Sequence, residues 1–326
     1  MALIVTAILA AASALSAFCQ QSDPEKLIDA GHWKQARTIV EARIHQTPDD
    51  ALANFLLSQV RNVFGDYNSP LPLAQKAVAL DGRVAKYHRQ LAEVLGVEAQ
   101  HAGPIKIVFL AHQFRSEIDT AISLDPRDLQ AQRDLLEYYL VAPGIAGGDI
   151  QKAMATAEHI AALDAAEGFL ARARIASIRK QTGETEALLA RAAHAQPPSY
   201  RALTELAKFY LSADHANREA AESAGKDLLK LDRTRVDGYA TLAQVYAQTG
   251  DWNALEAALA EASSQNPDDM APYYRAADTL LANRRDPARA ARYLRAYLAR
   301  DPEGNEPSSA DARRKLALAE QAKEGR

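Results

Sequence analysis

The chain has 326 residues, of which 38 are Lys or Arg and 42 are Asp or Glu, giving a formal net charge of −4. That balance excludes the strongly basic surface on which general nucleic-acid binding rests, so no nucleic-acid partner is expected. Alanine supplies 68 residues and aromatics only 6%; this favours helix and excludes a β-sandwich or barrel, whose strands need β-branched and aromatic side chains.

No charged residue precedes Asp23, and an apolar run from Leu3 through Ala-rich sequence to Phe18 leads into Gln20-Gln21-Ser22. This is the pattern of a signal peptide over residues 1–19, cleaved before Gln20. An exported protein, periplasmic or secreted, with no stable membrane insertion after cleavage, is the expectation. The alternatives are an uncleaved N-terminal membrane anchor, since the apolar run approaches spanning length, and a lipid on Cys19. That cysteine is the only one, so a chain cut after it has no disulfide, thiol nucleophile or thiolate metal site and is held by packing alone.

Downstream, short turn signals ending apolar helical runs recur at Thr47-Pro48, Asp81-Gly82, Asp125-Pro126, Asp164-Ala165, Pro197-Pro198, Asp232-Arg233, Asn266-Pro267 and Asp301-Pro302. The steps between their second members are 34, 44, 39, 33, 35, 34 and 35 residues, five of them within one residue of 34. Between Val236 and Asp269 stand Leu242-Ala243, Tyr246, Gly250, Trp252, Leu255, Leu259, Ala262 and Pro267. Small residues there let helix backbones approach, bulky ones fill the space between hairpins, Gly250 ends a first helix and Asp251 caps the second. This unit resembles the tetratricopeptide repeat family, whose unit is two helices in 34 residues. The resemblance implies an all-α solenoid over residues 23–302, of about eight helical-hairpin units. A C-terminal capping helix over 309–323, with Ser309 as its N-cap, is expected to close the array. In the unit turns Gly65 and Gly183 match the family's glycine, whereas Arg284 departs from it.

Two adjacent units exceed the period, by ten and five residues, with insertions near 96–107 and 142–148. The first predicts a hairpin that projects beyond its neighbours, its tip carrying Ile105, Ile107, Val108, Phe109 and Leu110. The second replaces a tight turn with Ala142-Pro143-Gly144-Ile145-Ala146-Gly147-Gly148. These insertions share one edge of a solenoid; either the Gly-rich loop covers the apolar tip, or the two build a pocket or docking edge around Ile105, Phe109, Pro143, Gly144, Gly147 and Gly148.

In the resembled family the first helices line a concave face. Carried onto this sequence, the positions pointing into it include Arg89, Glu93, Arg133, Glu137, Lys180, Arg201, Thr204, Lys208, Gln244 and Tyr274. The middle of this set is basic, and arginine forks suit carboxylates, so a protein or peptide partner of acidic character is expected. A second basic series, Arg284, Arg285, Arg289, Arg292, Arg295 and Arg300, reads as a solvated helix face or as a contact for acidic groups. The eight histidines show no helical zinc spacing, and no nucleophile elbow or glycine-rich nucleotide fingerprint occurs. No metal, cofactor or catalytic residue is therefore assigned. The expectation is a non-enzymatic protein–protein interaction scaffold or assembly factor of the bacterial cell envelope, holding a partner segment on the concave face. The alternative is a small-ligand or glycan binder, or an enzyme, using the inserted edge.

Overall fold

The computed structural model describes residues 23–66, 69–304 and 307–324, so the segment 1–19 read as a signal peptide lies outside the described residues. Among the described residues there are 17 α-helices and no strand. They fold as hairpins: α1 (Pro24–Asp29) with α2 (Trp33–Gln46), α3 (Ala51–Val63) with α4 (Pro70–Leu80), α5 (Ala85–Gln100) with α6 (Pro104–Leu124), and α7 (Leu129–Val141) with α8 (Ile150–Leu163). The series continues with α9 (Ala165–Ile178) and α10 (Thr182–Ala193), α11 (Tyr200–Leu211) and α12 (Arg218–Leu231), α13 (Asp237–Thr249) and α14 (Trp252–Gln265), α15 (Ala271–Ala282) and α16 (Pro287–Leu298), and ends in α17 (Ser309–Glu324). None of the described helices is long and apolar enough to cross a membrane.

Aspartate punctuates the array. Asp81, Asp125 and Asp232 stop helices and accept the backbone N–H two residues on, at 3.1, 3.0 and 2.9 Å, closing a turn that the helix does not re-enter. Asp50, Asp128 and Asp251 open helices as N-caps. Asp164 does both, ending α8 and capping α9, which is why that step is among the shortest. The final helix is capped one residue earlier than expected: Ser308 Oγ, not Ser309, accepts the Asp311 N–H at 3.1 Å.

The alanines sit where helices cross. Ala36, Ala53, Ala92, Ala131, Ala202, Ala243 and Ala277 are buried, and bulky Leu56, Ile160, Leu228, Leu255 and Leu294 fill the layers between them. Gly168 brings α9 so close to α8 that a Cβ there would stand 2.4 Å from the Ala161 Cβ. First helices of successive units touch one another and form the inner, concave layer, and second helices form the outer one.

Three turns carry their residue in the left-handed region as glycine, Gly31, Gly65 and Gly250. The expectation for Gly183 is corrected: it falls inside α10, and Lys180 takes the left-handed position at φ 59°. Arg284, which departs from the family's glycine, occupies the equivalent place at φ 51°.

The 142–148 insertion forms a 3₁₀ turn over Gly144–Ala146. The Tyr138 hydroxyl donates to the Ala146 carbonyl, and the Gly148 Cα lies so close to Ala142 O that no side chain fits. The turn leans on α6, where Phe114 stacks on Tyr138 with ring centroids 5.6 Å apart, but it does not cover the hairpin tip. Ile105, Phe109 and Ile145 remain 91%, 61% and 80% exposed.

The two ends of the solenoid meet. The backbone N–H of Lys34 donates to Glu303 Oε2 at 2.8 Å, while its ammonium reaches Asp268 Oδ1 at 3.2 Å and the Asp301 carbonyl at 3.0 Å. Gly304 packs on Val63, leaving 2.7 Å between a built Cβ and Val63 Cγ1. The superhelix thus closes on itself between α2–α3 and the segment leading to α17.

Candidate functional site

The first helices of the three central units, α7, α9 and α11, line an open cleft of about 1020 Å³ on the concave side. It gathers Arg133, Glu137, Lys180, Arg201 and Lys208 from the expected set, with Glu167, Arg174, Glu205 and the Phe209–His215 stack, whose rings lie 4.5 Å apart. Neither this cleft nor a second one at the seam between the ends includes the apolar tip or the 142–148 turn.

The cleft is wired at the period of the repeat. Arg133 Nη1 lies 3.1 Å from Glu167 Oε2, and Arg201, 34 residues beyond Glu167, donates to the same oxygen. Arg174 Nε donates to Glu137 Oε2 at 2.9 Å across a spacing of 37 residues. Equivalent positions of neighbouring units therefore face each other, and a charge on one helix is answered by the next. Two guanidiniums share Glu167, whose side chain is only 12% exposed. Loss of water and the nearby Arg133 push the Arg201 guanidinium below its ordinary value.

Several expected contacts are corrected. Arg89 is spent inside the fold: its Nε lies 3.3 Å from Asp128 Oδ2, the cap of α7, and its side chain is 17% exposed. Tyr274 is buried under α17, with its hydroxyl donating to Asp311 and accepting from Lys315 Nζ at 2.8 Å, so it does not face a partner. Thr204 Oγ1 and Gln244 Nε2 bond to carbonyls of their own helices, Tyr200 O at 3.0 Å and Ala240 O at 3.2 Å. Glu93 accepts from Asn62 Nδ2 at 3.0 Å. Its side chain is exposed on the concave side, and the inner wall around it raises its carboxyl by partial loss of water. Nearby Asp134, absent from the expected set, is pushed up to about 6 by burial and by the Glu93 charge, against the hydrogen bond from Gln130. The basic series of the last hairpin is also consumed: Arg289 and Arg292 converge on Glu256, Arg295 holds Glu320, and Arg285 and Arg300 donate to the carbonyls of Gln248 and Pro267.

Comparison with solved structures places this arrangement. Yeast Tom70 superposes with a TM-score of 0.58 over 89% of this chain, at 13% identity; this chain spans 58% of it. The fold is a tetratricopeptide-type solenoid. A thermophilic tetratricopeptide protein of Thermus thermophilus aligns with 57% of this chain and 94% of its own, at 21% identity and a TM-score of 0.49. One from Parabacteroides merdae aligns with 91% and 95% respectively, at 12% identity and a TM-score of 0.43. No family model matches the sequence, and no curated protein does. In tetratricopeptide terms the cleft is the concave surface of the fourth to sixth units. Sequence reasoning found four of the five lysines and arginines of that surface but missed Glu167 and Arg174, and also the nearby Asp134. The signal for the first two was the spacing itself, since Glu167 precedes Arg201 by one repeat and Glu137 precedes Arg174 by nearly one.

Proposed function

We propose that this chain is an exported, non-enzymatic interaction scaffold of the bacterial cell envelope. Its central cleft holds an acidic segment of a partner protein. The observation that carries this reading is the pair Arg133 and Arg201 converging on the single carboxylate of Glu167 in an open cleft. Two planar forks share one anion, so donors remain for a second carboxylate brought by a ligand. Arg289 and Arg292 also share one carboxylate, Glu256, but that group lines neither cavity, so within an open cleft Glu167 marks the point where an added negative charge gains most. The exposed Ile105, Phe109 and Ile145 edge supplies a second, apolar contact for the same partner. Export rests on the apolar, uncharged residues 1–19.

The test is binding of fluorescent acidic peptides followed by anisotropy. The double variant Arg133→Glu, Arg201→Glu is expected to lose at least about tenfold in affinity, with helicity unchanged by circular dichroism. Undiminished binding removes the cleft assignment. Arg89 is unsuitable for this test, because reversing it strikes the cap of α7. Cell fractionation of the full chain tests export separately, and recovery in the cytoplasmic fraction overturns it.

A further inference from the structure

A second cavity, of about 610 Å³, lies where the ends of the solenoid meet. Its carboxylates are Asp29, Asp237, Asp269 and Glu303, and the only Lys or Arg among its lining residues is Arg235. That arginine serves Asp237, 3.7 Å away, and stacks over the Tyr200 ring at 3.9 Å. Among the described residues no lysine or arginine is ion-paired with Asp269 or Glu303. Asp269 Oδ1 accepts only the Ala271 N–H, at 2.8 Å, and Glu303 Oε2 only the Lys34 N–H, at 2.8 Å. The other Glu303 oxygen, Oε1, is buried without any hydrogen-bond partner, in a side chain 7% exposed.

A buried carboxylate oxygen left without a donor is costly, and such groups ordinarily have a cation or donor against them. Burial raises both carboxyls and outweighs the opposing pull of Lys34 on Glu303 and of the Ala271 N–H, Lys34 and His32 on Asp269; the negative neighbours add to the rise, Asp268 and Asp269 at Glu303 and Asp237 at Asp269. Glu303, Asp269 and Asp237 therefore form a track of mutually repelling acids. Its walls alternate polar Asn62, Gln100, His101 and Asn266 with the apolar and aromatic side chains of Ile28, Trp33, Val97, Val236, Met270 and Tyr297. Acids beside such apolar and aromatic side chains fit a cation that is itself mostly hydrocarbon, with methylenes against those side chains and ammonium at the acids.

We propose that this seam cavity binds an aliphatic ammonium group on a methylene chain, with Glu303 as its anchor and Asp269 as a second contact. The group comes from a free di- or polyamine or from a lysine side chain. Because the cavity is lined from α1–α2 on one side and from the segments around α13, α15 and α17 on the other, the ligand fastens the closed superhelix. This site is independent of the central cleft, and so is its test.

Thermal unfolding of the full chain is followed with putrescine, spermidine or an N-acetyl-lysine amide, each against NaCl at equal ionic strength. A saturable rise in Tm above the salt control is expected, and it is expected to be lost in Glu303→Gln and reduced in Asp269→Asn. Glu303→Gln keeps an oxygen to accept the Lys34 N–H and removes a charge with which no described lysine or arginine is ion-paired, so the unliganded variant is expected to unfold no earlier than the parent; Asp269→Asn serves if it does. Response to the amines alone assigns a free polyamine, and response to the lysine amide alone assigns a lysine side chain. No response beyond salt, or one unchanged in both variants, overturns the proposal.

Discussion

The two concave cavities of this solenoid are opposites in how they treat charge. In the central cleft Glu137 and Glu167 are each answered by a cation about one repeat away, and Glu167 is answered twice. At the seam acids outnumber lysines and arginines, and one carboxylate oxygen has no hydrogen-bond partner among the described residues. The difference follows from how each is built. Cleft residues occupy equivalent places in successive units, so the period matches partners automatically. Seam residues come from opposite ends of the chain, where no period relates them.

The largest test of this contrast strikes the spacing under the cleft. Gly168→Ala places a Cβ 2.4 Å from the Ala161 Cβ and 2.5 Å from its Cα, in a contact between backbones that has no flexible side chain to yield. The expected loss is about 3 kcal/mol, read from the urea midpoint. At the seam Gly304→Ala meets Val63 Cγ1 at 2.7 Å, a side chain that can turn aside. The expected loss there is about 1 kcal/mol, with faster amide exchange confined to α2 and α3. A global loss equal to that of Gly168→Ala would make the seam part of the core instead of a fastening. Lys180→Gly relieves a left-handed lysine on the cleft rim. It is expected to raise stability by about 1 kcal/mol while removing one cleft cation, so Tm rises as acidic-peptide affinity falls.

The smallest effect concerns pH. The Asp134 carboxyl stands at about 6 in the fold against an ordinary 3.8, chiefly through burial. Its neutral form is therefore favoured by folding. The stability it lends is fully present below about pH 4 and is lost as pH rises to about 6. Asp134→Asn is expected to remove that slope and to gain below about 1 kcal/mol at pH 7, given the solvent still reaching the group. Equal slopes for parent and variant between pH 4 and 6, by denaturant titration, would relocate the effect to Glu93.

Most of the architecture is legible in the sequence because its causes are local. Aspartate ends helices and starts them within two or three residues, as at Asp164, and small residues at fixed spacing set the crossings. Five concave residues were legible by the same logic, since a position in one unit predicts its counterpart in the next. The left-handed turn at Lys180 was not, because a left-handed residue other than glycine leaves no compositional mark, and Gly183 three residues later resembles the turn. Tyr274 was misread for a different reason: its position is concave, but the capping helix lies across it. The seam is the least legible part. Small rotations accumulated over eight units bring Lys34 to Glu303, and no short stretch of sequence contains that sum.

That closure has a consequence for the order in which the protein is made. Its fastening bond joins residues 269 positions apart, whereas the rest of a repeat array needs only its neighbour. At roughly 5–20 residues per second Glu303 is synthesised about 13 to 54 s after Lys34. Until then α1 and α2 lack the Glu303 contact, and a chain stopped short of Asp301 would carry every hairpin with only the Lys34–Asp268 ion pair left of the Lys34 contacts that join its ends.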